Sequence, residues 1–189
     1  MGSTTDPLIG REEELAAVGG FLDALRERPC ALVLEGEAGI GKTRIWREAL
    51  DMARQRGFRV LVGQPAGSEV RLAFAALGDL LEDLPHATLA SLPAPQRRAL
   101  RIALLAEDPD DGPFVQRLIG VSLLGALRAL ASDGPLAVAI DDVQWLDAAS
   151  AAALRFAARR LRDERLGFLL TIRAGEDAGG FDQALPEPV

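Results

Sequence analysis

The chain has 189 residues, 49% hydrophobic and 26% charged, which suffices for the core of one ordinary domain and excludes wholesale disorder. Its formal net charge of -7 excludes a broad basic face for non-specific DNA or RNA binding. A single cysteine, Cys30, and a single histidine, His86, exclude an internal disulfide and the usual zinc sites.

The start, Met1 to Pro7, has neither a basic nor an apolar signal-peptide region. No apolar run approaches the ~18–20 residues of a membrane helix, so a soluble, cytoplasmic protein is expected. Residues 8–28 predict a helix with Leu15, Val18, Leu22 and Leu25 on one face, ended by Pro29. Cys30 to Leu34 is a short apolar run that reads as a buried parallel strand. A glycine-rich loop over 36–43 leads into a helix over 42–56, which Gly57 closes. Phe58 to Val62 is a second strand, and the unit is βαβ.

Residues 64–113 are expected to form a helical insert, with helices over 72–84 and 95–106. The acidic run from Glu107 to Pro113 lacks the glycine spacing of a calcium loop and reads as solvated. Helix 114–131, strand 136–140, helix 148–163 with Asp147 as N-cap, and strand 166–172 follow. The tail, Ala174 to Val189, is expected to fray. Cys30 and Trp46 are expected in the core, His86 on the surface, and Trp145 wedged against the 148–163 helix.

The chemistry concentrates in Gly36-Glu37-Ala38-Gly39-Ile40-Gly41-Lys42-Thr43, which matches the phosphate-binding pattern G-x-x-x-x-G-K-[ST]. Glycines let successive N–H groups converge on phosphate, and the next helix presents its positive end to the same anion. Lys42 can reach the β- and γ-phosphates, Thr43 can place its hydroxyl on Mg²⁺, and the binding set continues to Arg44. Of 21 basic residues Lys42 is the only lysine, and it stands where a compact ammonium is required. Asp141 and Asp142 follow an apolar strand, at the strand end where α/β sheets bind ligands. Asp141 is the candidate for the Mg²⁺ shell and Asp142 for orienting or deprotonating the attacking water. Arg173 ends the last strand and is the candidate γ-phosphate sensor.

Leu8-Ile9-Gly10-Arg11-Glu12, the P-loop, Asp141-Asp142-Val143-Gln144-Trp145-Leu146-Asp147 and Thr171-Ile172-Arg173 occur in an order that resembles one family. It is the ATPase domain of the large ATP-binding LuxR-family (MalT-like) transcriptional regulators, AAA+-related signal-transduction ATPases with an origin-recognition-like core. The resemblance implies a three-layer α/β/α P-loop NTPase with a parallel sheet in the order 5-1-4-3-2. It implies Ile9, Gly10 and Arg11 near the adenine, ATP or ADP with Mg²⁺ as cofactors, and ATP-dependent self-association. It also implies a winged-helix lid and a DNA-binding domain elsewhere in a longer parent, with strand 5 missing from this segment and the P-loop strand exposed at the sheet edge. Asp142 is one methylene shorter than the glutamate often found there, so slow hydrolysis is expected. A nucleotide-binding scaffold without catalysis and a P-loop small-molecule kinase remain as alternatives.

Overall fold

The four apolar runs become four strands: β1 (Cys30–Gly36), β2 (Arg59–Gly63), β3 (Leu136–Ile140) and β4 (Leu166–Arg173). They are seen in a computed structural model that describes residues 10–105, 113–177 and 180–189. All pairings are parallel, in the spatial order β1-β4-β3-β2, which is the 1-4-3-2 part of the expected sheet. Inserting β4 and β3 between the first two strands explains their composition. Every residue of β3, and all of β4 but Arg173, is buried, as a central parallel strand requires.

Alternate strand residues face opposite layers. Cys30, Leu32, Ala137, Ala139 and Leu169 pack beneath α1 (Glu12–Ala24) and α2 (Lys42–Gln55). Leu61, Val138, Ile140, Phe168 and Leu170 face a larger layer made by α3 (Ala75–Leu81), α5 (Ala94–Leu105), α6 (Pro113–Asp133) and α7 (Ala148–Ala158). The short α4 (His86–Ser91) packs on α6. The result is the expected three-layer α/β/α sandwich.

Trp46 is buried and its Nε1 donates to the Leu169 carbonyl at 3.3 Å, tying α2 to β4. Cys30 is buried as expected; burial pushes its thiol up to about 11, against a smaller opposing effect from the Arg28 charge. His86 is exposed at the head of α4.

Several expected elements change at their ends. The first helix begins at Glu12 and finishes at Ala24, because residues 25–28 tighten into turns before Pro29. The expected helix over 72–84 contracts to α3, because Phe74 takes a left-handed conformation (φ 64°) that no helix continues through. The helix expected to reach 163 ends at Ala158. Helix α4, between Pro85 and Pro93, has six residues, too few to show a period in the sequence. Most of the acidic run lies outside the described residues.

The tail is not frayed over its described residues. Phe181 is fully buried and meets Phe168 edge to face at 5.6 Å. Farther on, Ala31 N donates to the Glu187 carbonyl at 3.3 Å and Val189 N donates to the Ala31 carbonyl at 3.1 Å. Pro188 thereby forms a parallel bridge on the outer side of β1, where a fifth strand of the expected order runs. The edge is covered at Ala31, whereas Val33 stays 39% exposed. Among the described residues no helix is long and apolar enough to cross a membrane.

Gly167 permits a close approach of the sheet to α1 and the turn after it, since a Cβ there would sit 2.7 Å from Phe21 and Leu25. Gly78 in α3 would meet nothing within 4 Å. Gly167→Ala is therefore expected to lower stability by about 1–3 kcal/mol through overpacking. Gly78→Ala is expected to raise it by up to about 1 kcal/mol through helix propensity. Urea midpoints of the two variants test this, and equal shifts would contradict the packing described.

Candidate functional site

The site is assembled at the C-terminal ends of β1, β4 and β3. The register sets Gly36 opposite Arg173 and Ile140 opposite Leu170, so Asp141, Thr171 and the glycine loop meet at one edge. The loop is shaped by its glycines. Gly39 (φ 81°) and Gly41 (φ 98°) lie where side chains are strained, and Gly41 is the N-cap of α2. At Gly36 a Cβ would come within 3.1 Å of the Ile40 side chain, so the first glycine permits close closure of the loop.

Lys42 lies beneath this loop with 9% relative exposure. Its Nζ donates to the carbonyls of Gly36 at 2.7 Å and Glu37 at 2.8 Å. An ammonium has three donors, so one remains for another acceptor. Among the described residues no carboxylate forms an ion pair with Lys42. A buried cation so placed favours an anion at the mouth of the loop.

Across the cleft, Asp141 is buried and its Oδ1 accepts from Thr171 Oγ1 at 2.5 Å and from Thr43 Oγ1 at 3.4 Å. The next residue, Asp142, has φ 49° and ψ 56°, a left-handed conformation unusual outside glycine. Its N–H donates to Thr171 Oγ1 at 2.7 Å. One hydroxyl thus fixes the carboxylate of Asp141 and the backbone of Asp142. The Asp142 carboxylate accepts from Gln144 Nε2 at 2.9 Å and lies 3.8 Å from Arg173 Nε. Gln144 Oε1 in turn accepts from the Arg173 N–H at 3.4 Å.

A cleft of about 320 Å³ lies between these groups, bordered by Ala38, Gly39, Gly41, Lys42, Thr43, Arg44, Arg47, Asp142 and Arg173. Four cations and one carboxylate line it, so the cleft is locally cationic although the chain carries -7. Arg11 reaches the rim, where its Nη2 donates to the Ile40 carbonyl at 2.6 Å and its Nη1 pairs with Glu14 at 2.6 Å. Gly10 adjoins it with φ 75°. Ile9 lies outside the described residues. The structure brings together Lys42, Thr43, Arg44, Asp141, Asp142 and Arg173, with Arg11 at the edge; Glu37 contributes its carbonyl.

The donor set fits a small hard cation beside phosphate. The Thr43 hydroxyl and the Asp141 carboxylate are adjacent oxygen donors, and magnesium characteristically takes few protein ligands plus phosphate and water. No cluster of three or more His, Cys, Asp or Glu that could cage a metal occurs among the described residues.

Thr171, Gln144 and Arg47 were not given roles by sequence reasoning. Thr171 had a signal: it is the single hydroxyl in an otherwise apolar strand. Arg47 lies one helical turn beyond Thr43, which places it on the same face of α2. Trp145 gains a contact that the sequence does not suggest. Its ring rests on Gly67, in the connection after β2, with the Arg173 guanidinium 5.5 Å from its centroid. A cavity of about 820 Å³ lies away from the glycine loop, between α3 and α5.

The left-handed backbone at Asp142 makes a specific prediction. Asn tolerates this conformation, so Asp142→Asn is expected to unfold at the wild-type midpoint. Asp142→Ala is expected to lose about 1–2 kcal/mol. Thr171→Val, which removes the acceptor of the Asp142 N–H and the donor to the buried Asp141 carboxylate, is expected to lose about 1–3 kcal/mol. Thermal unfolding of the three variants checks this, and an unaffected Thr171→Val would refute the central role of that hydroxyl.

Comparison with known proteins bears on the family and the fold. The profile described as an AAA ATPase domain matches residues 7–172. An uncharacterized protein of Rhizobium meliloti (strain 1021) is 29% identical over 212 aligned positions, covering 98% of this chain and 20% of that protein. The chain thus spans about a fifth of the length of the curated relative it matches. Among solved structures, the Aeropyrum pernix ORC2 protein, described as ADPNP-ADP complexes, superposes with a TM-score of 0.52 at 15% identity. That match covers 97% of this chain and 48% of the other, and at such identity it establishes the fold.

Proposed function

Because the chain belongs to the AAA ATPase domain family, we propose that it binds ATP with Mg²⁺ and hydrolyses it slowly, as a nucleotide-dependent switch. The observation that carries this reading is Lys42: the only lysine, buried under a glycine loop and bonded to two carbonyls, with a proton left for phosphate.

In this reading the N–H groups of the loop from Gly36 to Thr43, with Arg44, cradle the phosphates. Lys42 contacts the β- and γ-phosphate oxygens. Thr43 and Asp141 would hold Mg²⁺, which neutralises phosphate charge when bound. Asp142 orients a water whose oxygen attacks the γ-phosphorus while the bond to the β-bridging oxygen breaks, giving ADP and inorganic phosphate. Arg173 senses the γ-phosphate. Gly10 and Arg11 border the adenine; the Arg11 bond to Ile40 supports this for the rim.

The same residues support the finer assignment to LuxR-type, MalT-like regulators, whose resemblance runs through the segment from Asp141 to Asp147. In that assignment DNA binding resides elsewhere in a longer protein, and ATP favours self-association. A second reading, a nucleotide-binding scaffold without catalysis, draws on the Asp142 carboxylate being already engaged by Gln144 and adjacent to Arg173.

Phosphate release from ATP separates these readings. The expected result is Mg²⁺-dependent turnover well below the roughly 10 s⁻¹ of a median enzyme. It should be abolished in Asp142→Asn while ATP binding persists. Turnover at or above that rate, or full turnover by the variant, would contradict the switch. Binding without any release would favour the scaffold, and phosphate appearing on sugars or nucleosides would indicate a kinase.

A further inference from the structure

The loop after β3 is fastened to the segment between β2 and α3 by contacts that phosphate binding does not require. Asp147 is 2% exposed. Its Oδ1 accepts from Ser150 N at 2.9 Å, the ordinary N-cap of α7. The same oxygen accepts from Phe74 N at 2.9 Å, and Oδ2 accepts from Ala76 N at 3.2 Å. The Ser150 hydroxyl, also buried, accepts from Leu77 N at 2.9 Å. The ring of Trp145 completes the attachment: a Cβ on Gly67 would meet it at 3.3 Å.

One buried carboxylate therefore heads two helices. A cap for α7 needs only the Ser150 bond; the two bonds to α3 are additional. They also hold Phe74 in its left-handed conformation, φ 64°, an uncommon state for a bulky side chain. At the other end of the same loop Asp142 is held at φ 49° by Thr171. Two strained residues, each fixed by a side-chain acceptor, thus bracket the linked segment.

We propose that Asp147 is a positioning residue that couples the phosphate cleft to α3, so that cleft occupancy is read at residues 67–77. This inference rests on the nucleotide reading given above. The route begins at Arg173, which borders the cleft, lies 3.8 Å from Asp142 and lies 5.5 Å from the Trp145 ring. An anionic phosphate competes with both for the guanidinium. A shift of Arg173 changes what holds Trp145 against Gly67, and Asp147 carries the displacement to the N–H groups of Phe74 and Ala76. The segment that responds also forms a wall of the 820 Å³ cavity and carries Leu72, 59% exposed, so its movement remodels an apolar surface.

Hydrogen exchange of the full chain with and without ATP–Mg²⁺, with binding followed separately by calorimetry, tests the coupling. In the wild type, exchange over 67–77 should change by about fivefold or more on binding, the lower range of measured couplings. In Asp147→Asn, which is isosteric but presents an amide N–H toward Ala76 N–H, ATP should still bind and the change should vanish. Ser150→Ala, which leaves the α7 cap in place, should diminish it and guards against misfolding of the first variant. A purely structural role for Asp147 would raise exchange equally with and without nucleotide. ATP binding with no response over 67–77, or a full response in Asp147→Asn, would overturn the proposal. Absence of ATP binding by the wild type would be seen in the calorimeter and would remove the nucleotide reading first, and this coupling with it.

Discussion

A buried ammonium is costly unless its protons are matched, and Lys42 is matched only in part. Two carbonyls of the loop take two of its donors, and no carboxylate among the described residues neutralises it. The surrounding architecture serves this charge. The strand β1 delivers Gly36 and Glu37, the glycines bend the loop over the side chain, and α2 starts at Lys42 itself. The cationic lining added by Arg44, Arg47 and Arg173 is local and runs against the acidic balance of the whole chain. Such a contrast concentrates a small anion at one point without making the protein a general polyanion binder.

The opposite wall depends on a single hydroxyl. Thr171 reaches Asp141 and the backbone of Asp142 because β4 lies between β1 and β3, and the register brings residue 171 level with the end of β3. Sheet order and site chemistry are thus one constraint. Were β3 paired directly with β1, Thr171 and Arg173 would leave the cleft, and Asp142 would lose the acceptor that holds its unusual backbone.

Much of this was legible in the sequence. Parallel strands are short apolar runs, and four were readable with errors of at most two residues at their ends. The glycine loop carries its own physical requirements, position by position. What escaped depends on tertiary partners. The contraction of the 72–84 helix follows from Asp147 capturing the Phe74 N–H, a bond spanning 73 residues. The order of the tail follows from Phe181 finding Phe168, and the partner of Trp145 is a glycine that no periodicity singles out. Thr171 was visible as an odd hydroxyl in an apolar strand, but its two bonds exist only once the register is set.

The claim underlying the rest is that the cleft is built for phosphate around the compact charge of Lys42. Calorimetric titration of the chain with ATP–Mg²⁺, alongside Lys42→Ala and Lys42→Arg, tests it most directly. The wild type should bind one equivalent saturably, and both variants should lose binding. The arginine variant keeps the charge but cannot place a guanidinium beneath the Gly36 and Glu37 carbonyls. Binding by either variant with wild-type affinity would contradict the account.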